Sequence, residues 1–261
     1  MTDDNKSNRE IVSPWSNDSI APMQAAGAIV PVVASENGPV LGVEAHGTAF
    51  FITDDGFFLT AAHVVNTLSP VAPAIVVFIF GGPGYVMMPV QFVAVHPTID
   101  VAIGRVLVSD DCRPSPMTLS TRRLREGAPV AVLGYPRSTA HHTINSEGRM
   151  MSSLSCTPDY FEGRVLGHHP TGISLARTAA YTTDIVPPSP EIKDLGGASG
   201  GPLVSSSSLH VHGLLCSAAE SYSICTDIEQ ILDWSIFDIQ KEGFLTIRAM
   251  GQRFPNQIRV V

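Results

Sequence analysis

A chain of 261 residues can bury a sizeable core, either as one large all-β domain or as two small ones. Its net charge of −8 gives no electrostatic footprint for a phosphate backbone, so nucleic acid is not an expected partner. Only 15% of residues are charged against 44% hydrophobic, and 22 Gly with 20 Pro favour many short strands joined by turns over long helices.

Residues 1–22 are polar and read as a leader or loosely packed arm. They lack the basic start of a secretory signal, and the first apolar run, 25–34, is too short and too late to serve as one. Strands are expected at 28–34 and then at 47–53 and 57–60, which flank the hairpin signal Asp54-Asp55-Gly56. Further strands at 74–80, 90–95 and 101–108 complete a first group, with the turn cluster Gly81-Gly82-Pro83-Gly84 between the first two. That cluster is followed by neither a lysine nor a helix signal, so it does not read as a phosphate loop.

After a polar stretch near 109–115, a second group is expected at 129–136, 163–166, 173–179, 203–204 and 210–216. Turns every 8 to 12 residues suggest paired β-barrels or sandwiches with a site in the cleft between them. Apolar residues Ile228, Ile231, Leu232, Ile236 and Phe237 fit a short amphipathic helix over 227–239. No run is long enough to span a membrane as a helix, and none is expected to bind one.

Cys112, Cys156, Cys216 and Cys225 show no metal-type spacing and are too sparse for a disulfide scaffold. Reduced thiols and a cytoplasmic location are therefore expected. Cys216 and Cys225 flank a hairpin centred on Glu220-Ser221, where either a cross-strand bond or two buried thiols would fit. The pairs His141-His142 and His168-His169 do not make a metal site, because neighbours on a strand point to opposite faces and no ligand-like acid or cysteine accompanies them. No cofactor is expected.

The chemistry concentrates in Gly196-Gly197-Ala198-Ser199-Gly200-Gly201-Pro202. Glycines on both sides of a serine permit a tight turn whose N–H groups can converge beside the hydroxyl. A serine hydroxyl also needs an imidazole to take its proton and an acid to fix that imidazole's tautomer. His63, in Leu59-Thr60-Ala61-Ala62-His63, and Asp100 supply both types.

These segments, in the order His, Asp, Ser, resemble those of trypsin-like (chymotrypsin-fold) serine peptidases. The likeness is nearest to the bacterial, disulfide-poor branch that includes HtrA-type peptidases. It rests on Gly47-Thr48-Ala49-Phe50-Phe51-Ile52 through His63, on His96-Pro97-Thr98-Ile99-Asp100-Val101-Ala102 and on Val130-Ala131-Val132-Leu133-Gly134-Tyr135-Pro136. Tyr181-Thr182-Thr183-Asp184, the serine segment and Val211-His212-Gly213-Leu214-Leu215 complete it. The resemblance implies two six-stranded antiparallel β-barrels with the active site between them, over residues 23–236 and divided near 23–120 and 125–236. A C-terminal extension, 237–261, follows, and no further PDZ-like regulatory domain is expected.

Carried over by position, Ser199 is the nucleophile, His63 the general base and Asp100 the orienting acid. The N–H groups of Gly197 and Ser199 form the oxyanion hole. Cys216, Ser217 and Ala218 pair with the substrate backbone, and Lys193 lies near the pocket base. With no aspartate at the pocket floor, cleavage after Arg or Lys is disfavoured; small side chains at Ser217, Ala218 and Ser223 leave room for a medium or acidic group.

Two departures stand out. Ala198 occupies the position where digestive relatives carry an aspartate that pairs with a new N-terminus, so activation by that route is unavailable. Val64 stands where secreted relatives place a disulfide cysteine. Substrates are expected to be proteins or peptides, with an activating partner docking on the leader or on the tail. The competing reading is a catalytically silent binding module on the same fold.

Overall fold

The β-branched and aromatic runs of the first half pair edge to edge until no edge is left. In the computed structural model, which describes residues 26–32, 43–44, 46–66, 72–79, 84–109, 113–136, 138–155, 158–173, 176–187, 195–238, 243–253 and 259–261, they form strands β1 (Ala26–Val32), β3 (Gly47–Phe51), β4 (Phe57–Thr60), β5 (Ala72–Ile79), β6 (Gly84–Val95) and β7 (Ala102–Val106). A two-residue strand, β2 (Val43–Glu44), precedes β3. The six longer strands close as a barrel in the order β1-β3-β4-β7-β6-β5. Closure removes the exposed edges that would otherwise recruit other chains.

Every residue of β3 and β4 is buried, so both faces of these strands are covered. Phe50, Phe51, Phe57, Phe58, Leu59 and Ile103 are almost wholly inside. Burying each such side chain contributes roughly 1.5–3 kcal/mol before entropy is counted. The expected turn between β3 and β4 closes on Gly56 at φ +98°, with Thr53 Oγ1 accepting from Phe57 N at 2.9 Å.

The second half repeats the plan. Strands β8 (Pro129–Gly134), β11 (Asp159–His169), β12 (Ala180–Thr183), β13 (Pro202–Ser205), β14 (Val211–Ala218) and β15 (Ser223–Asp227) close in the order β11-β12-β15-β14-β13-β8. Two six-stranded antiparallel barrels are thus the observed architecture. They meet along a seam where Tyr135 Oη donates to Ala26 O at 2.9 Å. Leu119, in the connection between barrels, bridges in parallel to Val211 and to Val260.

Several elements differ from the sequence expectation. A hairpin of β9 (Thr139–Ile144) and β10 (Met150–Ser155) lies outside the barrels, paired with β2 in a separate three-stranded sheet. Its Ser, Thr and His content gives no apolar alternation, since Met151, Ser153 and Ser155 face solvent. The strand expected at 173–179 is reduced to a single bridge, Ile173 to Ala176, and the ladder to β11 is made by β12 instead.

The helix expected over 227–239 is one 3₁₀ turn, Ile228–Ile231, capped by the Asp227 side chain on Glu229 N. Ile228, Ile231 and Leu232 satisfy its single buried stripe, and the following residues form β16 (Ser235–Asp238), paired with β17 (Gly243–Thr246). Helix α1 (Ala62–Asn66) carries His63, and the C-terminal helix is α2 (Ile247–Arg253). Ile236, Leu245, Ile247 and Met250 join the same buried cluster as the first-barrel phenylalanines. No described helix is long and apolar enough to cross a membrane. The leader at 1–22, Gly81 to Pro83, Cys112 and Cys156 lie outside the described residues.

Candidate active site

Strand pairing brings the first two site residues together. Thr60 at the end of β4 faces Ala102 at the start of β7, so His63, three residues on, stands beside the turn that ends at Asp100. Asp100 grips His63 twice: Oδ2 lies 2.8 Å from Nδ1, and Oδ1 accepts the His63 backbone N–H at 2.9 Å. Burial pushes the Asp100 carboxyl upward, but the two His63 hydrogen bonds and the attraction of the ring outweigh it and hold it below the usual carboxylate range. A carboxylate on Nδ1 leaves Nε2 as the ring nitrogen open to a reaction partner.

The turn bearing Asp100 has its own brace. His96 Nδ1 accepts from Thr98 N at 3.3 Å and Ile99 N at 3.1 Å, and His96 N donates to Val101 O at 2.9 Å. Accepting at Nδ1 requires the neutral ring with its proton on Nε2. The ring meets Trp234 edge to face at 5.0 Å. In the sequence His96 stands only as a neighbour of Asp100; its bracing role has no signature beyond its spacing from residues 98 and 99.

Ser199 arrives from the second barrel in a turn over residues 196–200. Gly197 and Gly200 sit at φ +82° and +83°, in the left-handed region that favours glycine. Ala198 N donates to Leu195 O, Gly200 N to Leu215 O and Gly201 N to Ala198 O, whereas the N–H groups of Gly197 and Ser199 donate to no described carbonyl. Those two N–H groups are therefore available to an oxyanion. Ala198 is fully buried, and a Cβ placed on Gly134 would come within 2.5 Å of its own Cβ. Among the described residues no hydrogen bond joins His63 to Ser199, although catalytic hydrogen bonds often tighten only when substrate binds.

Beside Ser199 opens a cleft of about 260 Å³, lined by Leu195, Gly196, Ser199, Leu215, Cys216, Ser217 and Ala218. The described part of its lining bears no charged side chain. Ser223 is fully buried, and its hydroxyl is taken by Ile185 O. Lys193, expected near the pocket base, lies outside the described residues. β14 pairs with β13 only as far as Leu214, which leaves the edge of Cys216, Ser217 and Ala218 unclaimed on that side.

The cross-strand bond between Cys216 and Cys225 does not fit the register. The hairpin turns at Glu220-Ser221, with Ala219 N donating to Tyr222 O, but a bulge between Leu215 and Ser217 sets Leu215, not Cys216, opposite Cys225. Cys216 Sγ instead meets Thr226 Oγ1 at 2.9 Å and Asp100 O at 3.5 Å, while Cys225 packs with Leu203 and Leu215 in the barrel core. Residues 225 and 226 face opposite ways on their strand, so the two thiols do too. Both are free. Burial and then the Asp100 charge push the Cys216 thiol up to about 12, and burial likewise raises Cys225 well above the usual thiol range.

Twin closed barrels of this topology, with an imidazole–carboxylate pair from one and a glycine-bounded serine from the other, define a chymotrypsin-type peptidase fold. The family model for the trypsin-like peptidase domain matches residues 47–214, more than half of the chain, and the chain belongs to that family. Among curated proteins it is 29% identical over 202 residues to the uncharacterized protein y4bJ of Sinorhizobium fredii, a match covering 76% of this chain and 26% of that protein. The chain thus spans about a quarter of that relative's length. Among solved structures it is similar to Deg5, at 18% identity and TM-score 0.56 over 81% of this chain and 86% of that one. It is also similar to the HtrA-type protease AlgW, at 16% identity and TM-score 0.53 over 82% and 59% of the respective chains. At such identities these two establish the fold alone.

Proposed function

We propose that this chain is a serine endopeptidase that hydrolyses peptide bonds through an acyl-enzyme, with His63, Asp100 and Ser199 as its triad. Ser199 Oγ attacks the scissile carbonyl while its proton passes to His63 Nε2. Charge developing on the carbonyl oxygen is met by the N–H groups of Gly197 and Ser199. The tetrahedral species then expels the amine, which takes the proton from His63, and a water molecule repeats the sequence on the ester to release the acid and restore Ser199. The observation that carries this reading is the double grip of Asp100 on His63, set across the seam from a serine loop with two unclaimed N–H groups.

Substrate is a protein or peptide lying along the edge of Cys216, Ser217 and Ala218, and the uncharged described lining favours an uncharged side chain in the cleft. Two free thiols fit a reducing, cytoplasmic setting. The absent zymogen aspartate at position 198 leaves competence either intrinsic or set by a partner on the leader or on residues 237–261. The missing hydrogen bond between His63 and Ser199 is what favours the alternative of a silent binding module. A serine-directed fluorophosphonate separates the two. Peptidase chemistry requires an adduct on Ser199 that Ser199→Ala abolishes, and an unlabelled wild type, with or without added peptide, would sink it.

A further inference from the structure

The Thr48 hydroxyl takes no part in the proton transfers above, yet it is bonded directly to the serine loop. Thr48 lies in β3 of the first barrel and is fully buried. Its Oγ1 donates to Gly197 O at 2.6 Å and accepts from Tyr135 N at 3.0 Å. Because the Tyr135 N–H can only donate, the single hydroxyl proton is committed to Gly197 O. The Thr48 backbone is engaged as well: its N–H donates to Ser199 O at 2.7 Å, and its carbonyl accepts from Thr60 Oγ1 at 2.7 Å.

These bonds fix two peptide planes in the loop. The plane joining Gly197 to Ala198 is held at Gly197 O by Thr48 and at Ala198 N by Leu195 O. The plane joining Ser199 to Gly200 is held at Ser199 O by Thr48 N and at Gly200 N by Leu215 O. The two unclaimed donors, Gly197 N and Ser199 N, are each attached to a residue whose carbonyl Thr48 holds. Without the hydroxyl, Gly197 could rotate away from φ +82°, since no side chain restrains it.

Resting on the peptidase reading above, we infer that Thr48 is a positioning residue for the oxyanion site. Its hydroxyl fixes the Gly197 carbonyl so that the N–H groups of Gly197 and Ser199 stay aimed at the reacting oxygen. The same residue belongs to the barrel that carries His63, so the anchor also registers the base against the nucleophile's loop. Position 48 thus needs a buried hydroxyl, which Ser retains and Val, of nearly the same shape, lacks.

The test compares Thr48→Val, Thr48→Ala and Thr48→Ser in the full chain. The readouts are kcat and KM on a peptide substrate, together with the affinity for a peptidyl aldehyde of the same sequence, whose adduct carries the oxyanion. The hydroxyl-free variants should lose about 10²-fold in kcat and in aldehyde affinity at little-changed KM, on the scale of losing one oxyanion donor. Thr48→Ser should restore both. Wild-type kcat in a folded Val or Ala variant, or an equal loss in Ser, would overturn the proposal. So would failure of both Val and Ala to fold while Ser folds, because the hydroxyl would then serve the barrel seam alone. A wild type that fluorophosphonate does not label at Ser199 sinks the peptidase reading itself, whatever Thr48 does.

Discussion

Among the described residues two imidazole–carboxylate pairs share the same length, 2.8 Å, in different surroundings. In the first, Asp100 takes Nδ1 of His63, and the side chains stay 46% and 37% exposed. In the second, Asp227 takes Nε2 of His168, and the side chains are only 13% and 6% exposed. The His168 ring lies tilted against Tyr181 at 4.7 Å, while Asp227 also caps the 3₁₀ turn through Glu229 N. The same short His–Asp contact thus occurs once near the surface and once in the interior. What separates the two is which nitrogen the carboxylate occupies, Nδ1 in one and Nε2 in the other, and how far the ring is exposed.

The largest expected difference lies in turnover. Asp100→Asn should lower kcat by ~10⁴-fold, because the amide no longer enforces the productive tautomer of His63. The folded state should barely change, since an exposed ion pair contributes only ~0–1 kcal/mol. Steady-state kinetics on a peptide substrate, beside a thermal melt, checks both halves. An unchanged kcat would erase the distinction between the two pairs.

Asp227→Asn should behave in the opposite way. The amide can still cap Glu229 N but meets His168 without its charge, at a site closed to water. A cost of about 1–3 kcal/mol is expected for a poorly satisfied buried polar group. For a chain of this size each kcal/mol lowers the melting temperature by roughly 2–4 °C. At a temperature where the variant stays folded, kcat should match wild type. A selective loss of kcat with no loss of melting temperature would make the second pair part of the site.

The two pairs were unequally legible in the sequence. His63 and Asp100 each stand in a local motif, and the barrel order places them together. His168 and Asp227 are 59 positions apart, meet only through β11, β12 and β15, and stood out in the sequence only as half of a His-His doublet. That doublet divides as strand geometry requires, with His169 Nε2 bonded to Thr182 Oγ1 instead.

Most barrel strands were legible because they carry apolar or β-branched runs, whereas their closure into two six-stranded barrels was legible only through the family resemblance. The β9–β10 hairpin was not, since its strands, rich in Ser, Thr and His, carry no such run. The end of the chain misled for a different reason. Residues 228, 231 and 232 have helical spacing, but one turn is enough to bury them, and the next apolar residues pair as a hairpin. Thr48 was visible only as part of a Gly-Thr-Ala string. Its contact with Gly197 spans 149 positions, and no periodicity reports a contact of that range.

The smallest expected effect concerns a third histidine, one that meets no carboxylate. His212 on β14 is buried and bonds Arg122 O through Nδ1 at 2.8 Å. Burial lowers its pKa, and the hydrogen bond to Arg122 O only partly opposes that shift. The folded chain thus prefers the neutral ring, whereas the unfolded chain takes up a proton near the ordinary pKa of about 6.5. The stability this gives is complete above that value and is lost as pH falls through the lower folded one. In that window one proton gives a slope of at most about 1.4 kcal/mol per pH unit. His212→Gln, whose amide can still donate to Arg122 O, should flatten the fall of melting temperature below about pH 6.5 without altering kcat at neutral pH. An unchanged acid slope would mean that the ring is already solvated enough to protonate in place. Acid sensitivity would then have to come from other groups; His96 is the first to examine, because its neutral Nδ1 braces the turn of Asp100 and burial lowers its pKa too.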